Sequence, residues 1–280
     1  MKQTFDINSV PVAYADDGRA DGEPFVLVHG AGANRNYWKL LAAEIVAVRD
    51  RPRIVAPDLF GHGQTPPWLP APQAGDLGGK GYAYADDVAL LAQLATKIRG
   101  PFDLIGHSSG GAICLEYALL HPDRVRKLVV AEPMLPGILA DQDPPAYAEV
   151  ASAYEAAHRA VAAGDDEAAA RCLFEYILGD ASWSKLAPSI RQWMTANVAC
   201  TLAAHSQASL SLRVPTDRYR AIACPVMVVV GESTRGPFRR VCELVAASLP
   251  DVRTRVIAGA RHNAPLTHAR AVNEAILAFL

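Results

Sequence analysis

Along the chain, short uninterrupted apolar runs alternate with longer stretches in which apolar residues recur every three or four positions. The first pattern is what a strand buried on both faces requires. The second is the stripe of an amphipathic helix. Thr4 to Ala15 predicts an opening hairpin or meander. Buried strands are predicted from Pro24 to His29, Arg53 to Asp58, Phe102 to Gly106, Val125 to Ala131, Pro225 to Val230 and Arg253 to Ile257. Helices are predicted from Tyr37 to Val48, from Tyr84 to Arg99, from Ser109 or Gly110 onward, near Arg239 to Leu249, and from Ala271 to Leu280. Strands alternating with helices imply the α/β class: a mostly parallel central sheet flanked by helices. From Pro133 to about Ile222 the pattern changes to Ala-rich helix without a buried strand. The simplest organisation is one core, residues 1–133 and 222–280, interrupted by an inserted helical cap at 134–221. The Pro/Gly-rich stretch from Pro66 to Gly81 predicts a loop.

Charge and composition narrow the partners. There are 27 basic and 29 acidic side chains and a formal net charge of -2. No run of Lys or Arg offers a nucleic-acid or anionic-membrane footprint. No apolar stretch reaches membrane-spanning length. The N-terminus lacks the apolar run and cleavage site of a secretory signal. Cys114, Cys172, Cys200, Cys224 and Cys242 are scattered and odd in number, which predicts reduced thiols in a cytoplasmic protein and no zinc frame. The oligomeric state stays open, a homodimer included.

The candidate chemistry begins at Gly106-His107-Ser108-Ser109-Gly110, a G-x-S-x-G sequence between a predicted strand and a predicted helix. A serine on so sharp a turn needs small neighbours and a strained backbone, and the turn lifts its hydroxyl above the sheet edge. Ser108 is therefore the candidate nucleophile. His107 is expected to point away from its neighbour, as a packing or pocket-wall residue. A general base must come from elsewhere, and His262 follows the last predicted strand in a loop that can reach the elbow. His268 is the rival, but it sits where the last helix begins. His29 and His62 lie in turns near the site, while His121, His158 and His205 read as helix-face residues.

These features together resemble the α/β-hydrolase superfamily over nearly the whole chain: HGAG at 29–32, DLFGHGQT at 58–65, GHSSGG at 106–111, HPDRVRKLVV at 121–130 and GARHNAPLTHARAVNEAI at 259–276, all in register. The resemblance implies an oxyanion hole from the N–H groups of Ala31 and Ser109, and the chain order serine, acid, histidine. One departure matters. Most members carry the acid as an Asp a few residues past a Gly, and here Thr234 occupies that position. Some members place the acid one strand earlier, where this chain has Glu132. Glu132 is the leading candidate for the acid and Glu232 the second. A serine nucleophile excludes the usual dehalogenase and epoxide-hydrolase chemistry, and the missing late Asp disfavours C–C hydrolysis.

The expected activity is hydrolysis of a carboxylic ester through an acyl-enzyme, without metal or organic cofactor. A cap of this size implies a small or medium apolar substrate. Trp38, Phe60, His107, Met134 and Trp183 are the expected substrate-binding residues. A lactonase is the near alternative: Glu132 and His262-Asn263-Ala264-Pro265 are similar to features of the zearalenone-lactone hydrolases. A cofactor-independent lyase or oxygenase, or a ligand-binding receptor on the same fold, is the alternative of another class.

Overall fold

The computed structural model describes residues 2–67, 83–180, 182–202 and 207–280. The opening hairpin is β1 (Lys2–Ile7) and β2 (Val10–Gly18). They are joined at Asn8 and Ser9, with φ of 46° and 67°. Two consecutive residues with positive φ make the tight turn whose twist suits antiparallel strands. The buried runs become β3 (Glu23–Val28), β4 (Pro52–Pro57), β5 (Phe102–His107), β6 (Val125–Ala131), β7 (Val226–Gly231) and β8 (Val252–Ile257). One sheet holds them in the order β1-β2-β4-β3-β5-β6-β7-β8. β1 and β2 pair antiparallel, β2 lies antiparallel to β4, and the strands from β4 to β8 run parallel.

Helices α1 (Lys39–Val48), α2 (Tyr84–Ala95) and α3 (Ser109–Leu120) follow β3, β4 and β5. Between β6 and β7 the described residues form only helices and short turns: α4 (Leu139–Gln142), α5 (Pro144–Ala162), α6 (Asp166–Leu178), α7 (Ser182–Lys185), α8 (Pro188–Thr201) and α9 (Gln207–Ser211). After β7 comes α10 (Gly236–Ser248), and after β8 come α11 (Ala264–Thr267) and α12 (Ala269–Phe279). Asp143 and Asp165 cap α5 and α6, accepting from the N–H groups of Ala146 and Ala168 at 3.2 and 2.9 Å.

Successive strand residues point to opposite faces, and the apolar runs fill both. Val26, Val28, Leu104, Val130 and Val228 pack against α2, α3 and α10 through Leu91, Leu94, Ile113, Val241 and Val245. Phe25, Leu27, Ile105, Val129 and Met227 pack against α1 and α12 through Leu41, Ile45, Val272 and Ile276. Each such side chain contributes about 1.5–3 kcal/mol when fully buried. A third cluster, including Val150, Tyr154, Leu173, Phe174 and Trp183, lies among the helices between β6 and β7, and Met134 and Phe238 join it from below.

Some boundaries differ from the pattern. α2 stops at Ala95 instead of Arg99, because the N–H groups of Thr96, Lys97 and Ile98 bond three residues back instead of four. α10 starts at Gly236, where Pro237 suits the first turn. The loop expected at 66–81 lies, beyond Pro67, outside the described residues, as does His205. Among the described residues no helix is long and apolar enough to cross a membrane.

The strand order places the site. From β3 the chain passes to β4 on one side, and β5 then lies on the other. The carboxyl ends of β3 and β5 therefore flank a topological switch point, the usual place for a crevice in an open parallel sheet. His29 and Gly30 follow β3, and Ser108 follows β5.

Candidate active site

Ser108 has φ 55° and ψ −124°, a backbone that L residues adopt only under strain. The surrounding structure holds it there. The Ser108 N–H donates to the Ala131 carbonyl at 2.9 Å, and its own carbonyl accepts from Met134 at 3.0 Å and Ala112 at 3.1 Å. The flanking glycines are required by space. A β-carbon at Gly106 would stand 2.5 Å from the Gly110 carbonyl oxygen, and one at Gly110 would stand 2.2 Å from that of His29.

The loop after β8 brings His262 over the elbow. Its Nε2 lies 3.0 Å from Ser108 Oγ, and its Nδ1 lies 2.8 Å from Glu132 Oε2. With Nδ1–H donating to the carboxylate, Nε2 is left to accept the serine proton. Glu132 directly follows β6, with φ 44°. Among the described non-glycine residues with positive φ, the other three lie in turns leading into strands. Ser108, His262 and Glu132 are all buried. Burial opposes ionisation of the Glu132 carboxyl. The hydrogen bonds from His262, Thr234 and the Gly231 N–H outweigh it and hold the pKa below the ordinary carboxylate value.

Glu232, the second candidate acid, is exposed, and its carboxylate accepts from the Gly259 N–H at 2.8 Å. His268 is only partly buried and stands at the start of α12, beside the Thr267 hydroxyl at 2.9 Å.

The loop after β3 is braced by two histidines. His29 Nδ1–H donates to the Gly30 carbonyl at 2.8 Å, and its Nε2 accepts from the Leu59 N–H at 3.0 Å. His62 Nδ1–H donates to the Phe60 carbonyl at 2.8 Å, and its Nε2 accepts from the Gly32 N–H at 3.1 Å. Ala31 thus sits between two anchored peptide units. Each ring needs one bare nitrogen to do this, so each must be neutral. Burial, and for His29 the proximity of His62, lowers both pKa values, that of His29 to about 3. Ser109 opens α3, where the first N–H groups have no partner within the helix.

The expected pocket residues divide. Met134 and Trp183 both belong to the apolar cluster among the inserted helices. Trp38 and Phe60 lie outside that cluster, in the two layers beside the sheet. Trp38 is buried against α1 and α12, its indole N–H donating to the Val28 carbonyl at 3.0 Å. Phe60 is buried in the layer of α2 and α3. His107 takes the packing place expected for it. Its ring stacks on Tyr37 at 5.1 Å, and its Nε2–H donates to the His262 carbonyl at 2.9 Å. Burial and the nearby His262 push its pKa down to about 3, so the ring is a neutral brace for the His262 loop.

Several contacts carried no sequence signal. The Phe238 ring lies 5.6 Å from that of His262, and Tyr176 meets Phe238 edge-on at 5.7 Å. Phe174 and Trp193 stand over the loop after β3: a β-carbon at Gly32 would meet both rings at 3.6 Å. Arg235 donates to the Tyr176 carbonyl and to Asp180, both at 2.8 Å. The one available hint was Thr234, conspicuous only as a replaced acid. Among the described residues, no cluster of three His, Cys, Asp or Glu side chains is placed to hold a metal ion.

The arrangement can be compared with known proteins. A profile described as the alpha/beta hydrolase family matches residues 25–275. Lipase LipV of Mycobacterium tuberculosis is 36% identical over 106 residues, which is 38% of this chain and 35% of the lipase. A putative 2-succinyl-6-hydroxy-2,4-cyclohexadiene-1-carboxylate synthase of Bacillus subtilis is 31% identical over 132 residues, 47% of this chain and 43% of that protein. These matches thus span less than half the length of the curated relatives. Among solved structures, a carboxylesterase of the ammonia-oxidizing thaumarchaeon Nitrososphaera gargenis superposes with a TM-score of 0.76 at 22% identity, covering 100% of this chain and 97% of the other. The profile match spans the sheet from β3 to the last helix, with Ser108, Glu132 and His262 all inside it, and the chain therefore belongs to the alpha/beta hydrolase family.

Proposed function

We propose that this protein is a serine hydrolase that cleaves a carboxylic ester of a small or medium apolar molecule through an acyl-enzyme. The observation that carries the reading is the continuous hydrogen-bonded line from Ser108 Oγ through His262 to Glu132, at 3.0 and 2.8 Å. His262 Nε2 takes the hydroxyl proton as Ser108 Oγ attacks the ester carbonyl. Negative charge gathers on the carbonyl oxygen, and the N–H groups of Ala31 and Ser109 receive it. The imidazolium is stabilised by the ionised Glu132 and gives its proton to the departing alcohol. Water then attacks the acyl carbonyl as it loses a proton to His262, and the imidazolium returns that proton to Ser108 Oγ as the serine–acyl bond breaks and the acid departs.

The inserted helices act as a cap domain over this site. Met134, Phe174, Trp183 and Phe238 offer an apolar wall with few hydrogen-bonding groups, which supports an apolar substrate. We assign no nucleic-acid or membrane partner, given the balanced charge. Cys114, Cys172, Cys224 and Cys242 are free thiols, which supports a cytoplasmic protein. A lactone is the second substrate class, favoured by the pairing of a Glu acid with the His262-Asn263-Ala264-Pro265 stretch.

The test is labelling with a fluorophosphonate, followed by peptide mass spectrometry, with Ser108→Ala as control. The expected result is one adduct on Ser108 and none in the variant. A folded protein that takes no label, or that keeps ester turnover without Ser108, would overturn the reading. Esters release a separate alcohol and a lactone does not, so product mass then separates the two classes.

A further inference from the structure

We propose that Thr234 is a positioning residue of the triad, holding the Glu132 carboxylate in the orientation from which it serves His262. The proposal rests on the serine-hydrolase reading and extends it to a residue that touches neither substrate nor His262.

A glutamate has three side-chain torsions, and the last is soft. Reaching from the end of β6, its carboxylate needs something to stop rotation about that last bond. The two oxygens divide the work. Oε2 faces His262 Nδ1 at 2.8 Å. Oε1 accepts from the Gly231 N–H at 2.8 Å and from the Thr234 hydroxyl at 2.6 Å. Two donors converging on one oxygen fix the plane of the group and leave the other oxygen for the imidazole. Gly231 contributes only backbone, so Thr234 supplies the side-chain half of this grip.

Thr234 is itself held. It is buried, and its N–H donates to the Gly231 carbonyl at 3.2 Å, closing a tight turn after β7. Within that turn, the Glu232 N–H donates to Ile257 at 3.0 Å and the Ser233 N–H to Ala260 at 2.8 Å. Ile257 and Ala260 lead directly into His262. The turn that grips the acid is therefore bonded to the loop that carries the base. A hydroxyl suits this post because it donates to the carboxylate without adding charge. It strengthens the ionised form of a buried acid and does not compete for the imidazolium.

The experiment compares Thr234→Val, Thr234→Ala and Thr234→Ser with the unaltered protein. Valine keeps the shape and removes the donor, and serine keeps the donor and removes the methyl. The readouts are the second-order rate of fluorophosphonate labelling at Ser108 and the thermal unfolding midpoint. Loss of a hydrogen bond to a buried charged group predicts labelling about tenfold to a hundredfold slower in the valine variant. The alanine variant should be similarly slow, and the serine variant within about threefold of the unaltered protein, reckoned from the same loss. Valine labelling at the unaltered rate would overturn the proposal. So would a serine variant as slow as valine, which would make the methyl and not the hydroxyl the important group. Unfolding of both the valine and alanine variants would assign Thr234 a structural role instead. If the unaltered folded protein takes no label, the serine-hydrolase reading itself has failed, and that result is distinct from the other three.

Discussion

At the scale of single residues, the site is built on two strained backbones. Ser108 and Glu132 both have positive φ. Such conformations cost on the order of 1–3 kcal/mol each and persist only where the surroundings enforce them. Here each follows a parallel strand, and each N–H is held by a neighbouring strand: Ser108 by Ala131, Glu132 by Val229. The strain lifts both side chains out of the sheet toward His262. A direct prediction separates the two candidate acids. Glu132→Ala should lower ester turnover by about 10³–10⁴-fold, the range seen when a triad acid fails to orient its histidine. Glu232→Ala should stay within about twofold, as an exposed side chain away from such features. Steady-state rates on proteins shown to be folded by circular dichroism decide it, and the reverse ranking would remove Glu132 from the mechanism. Ser108 and His262 were legible from spacing and chain order. The same reading ranked Glu132 ahead of Glu232 as the acid, and the directions of the two side chains bring Glu132, not Glu232, to His262.

At the scale of elements, the inserted helices meet the core at a few identifiable contacts. Helix α6 presents Phe174, and helix α8 presents Trp193, to the loop after β3. The end of α6 is fastened by Arg235, which bonds Tyr176 and Asp180 and stacks its guanidinium 4.6 Å from the Tyr176 ring. Trp193 is 39% exposed, so its loss should leave folding nearly intact while opening one wall of the site. Trp193→Ala is expected to raise KM for apolar esters about threefold to tenfold, the cost of about 1 kcal/mol of lost apolar contact, with a smaller effect on kcat. Unchanged KM across esters of several chain lengths would show that the substrate does not touch Trp193. The Ala-rich pattern from Pro133 to about Ile222 marked the segment as helical, yet could not say which aromatic faces the site. Trp38 and Phe60 illustrate the same limit. Their closeness in sequence to the motifs suggested the pocket, while packing drew both large apolar side chains into the two core layers beside the sheet.

At the scale of the whole molecule, stability should depend on pH through the buried histidines. Burial lowers the pKa of His29 and His107 to about 3, and lowers that of His62 as well. In the unfolded chain these rings titrate near the ordinary value of about 6.5. Below that pH the unfolded chain binds protons that the folded protein refuses. Their contribution is therefore fully present above about pH 6.5 and is lost progressively as pH falls toward 3. The denaturant midpoint should drop between pH 7.5 and pH 5 with little change in slope. Equal midpoints would mean that the three rings accept protons without unfolding. Two of these histidines brace the loop after β3 and the third braces the His262 loop, so acid should act first on the site.

The sequence by itself determined the α/β class, the order of strands and helices, the helical stretch between β6 and β7, and the elbow at Ser108. These follow from local rules: apolar periodicity, turn chemistry, and the need for glycine where backbones nearly touch. The tertiary structure decided the rest. Which glutamate meets His262, what Thr234 holds, what His107 braces, and which aromatic rings cover the loop after β3 all depend on contacts between residues far apart in sequence. His262 lies 130 residues from Glu132 and 154 from Ser108. No periodicity spans such separations; the pairing is set by the register of parallel strands, which brings the three side chains to one edge of the sheet.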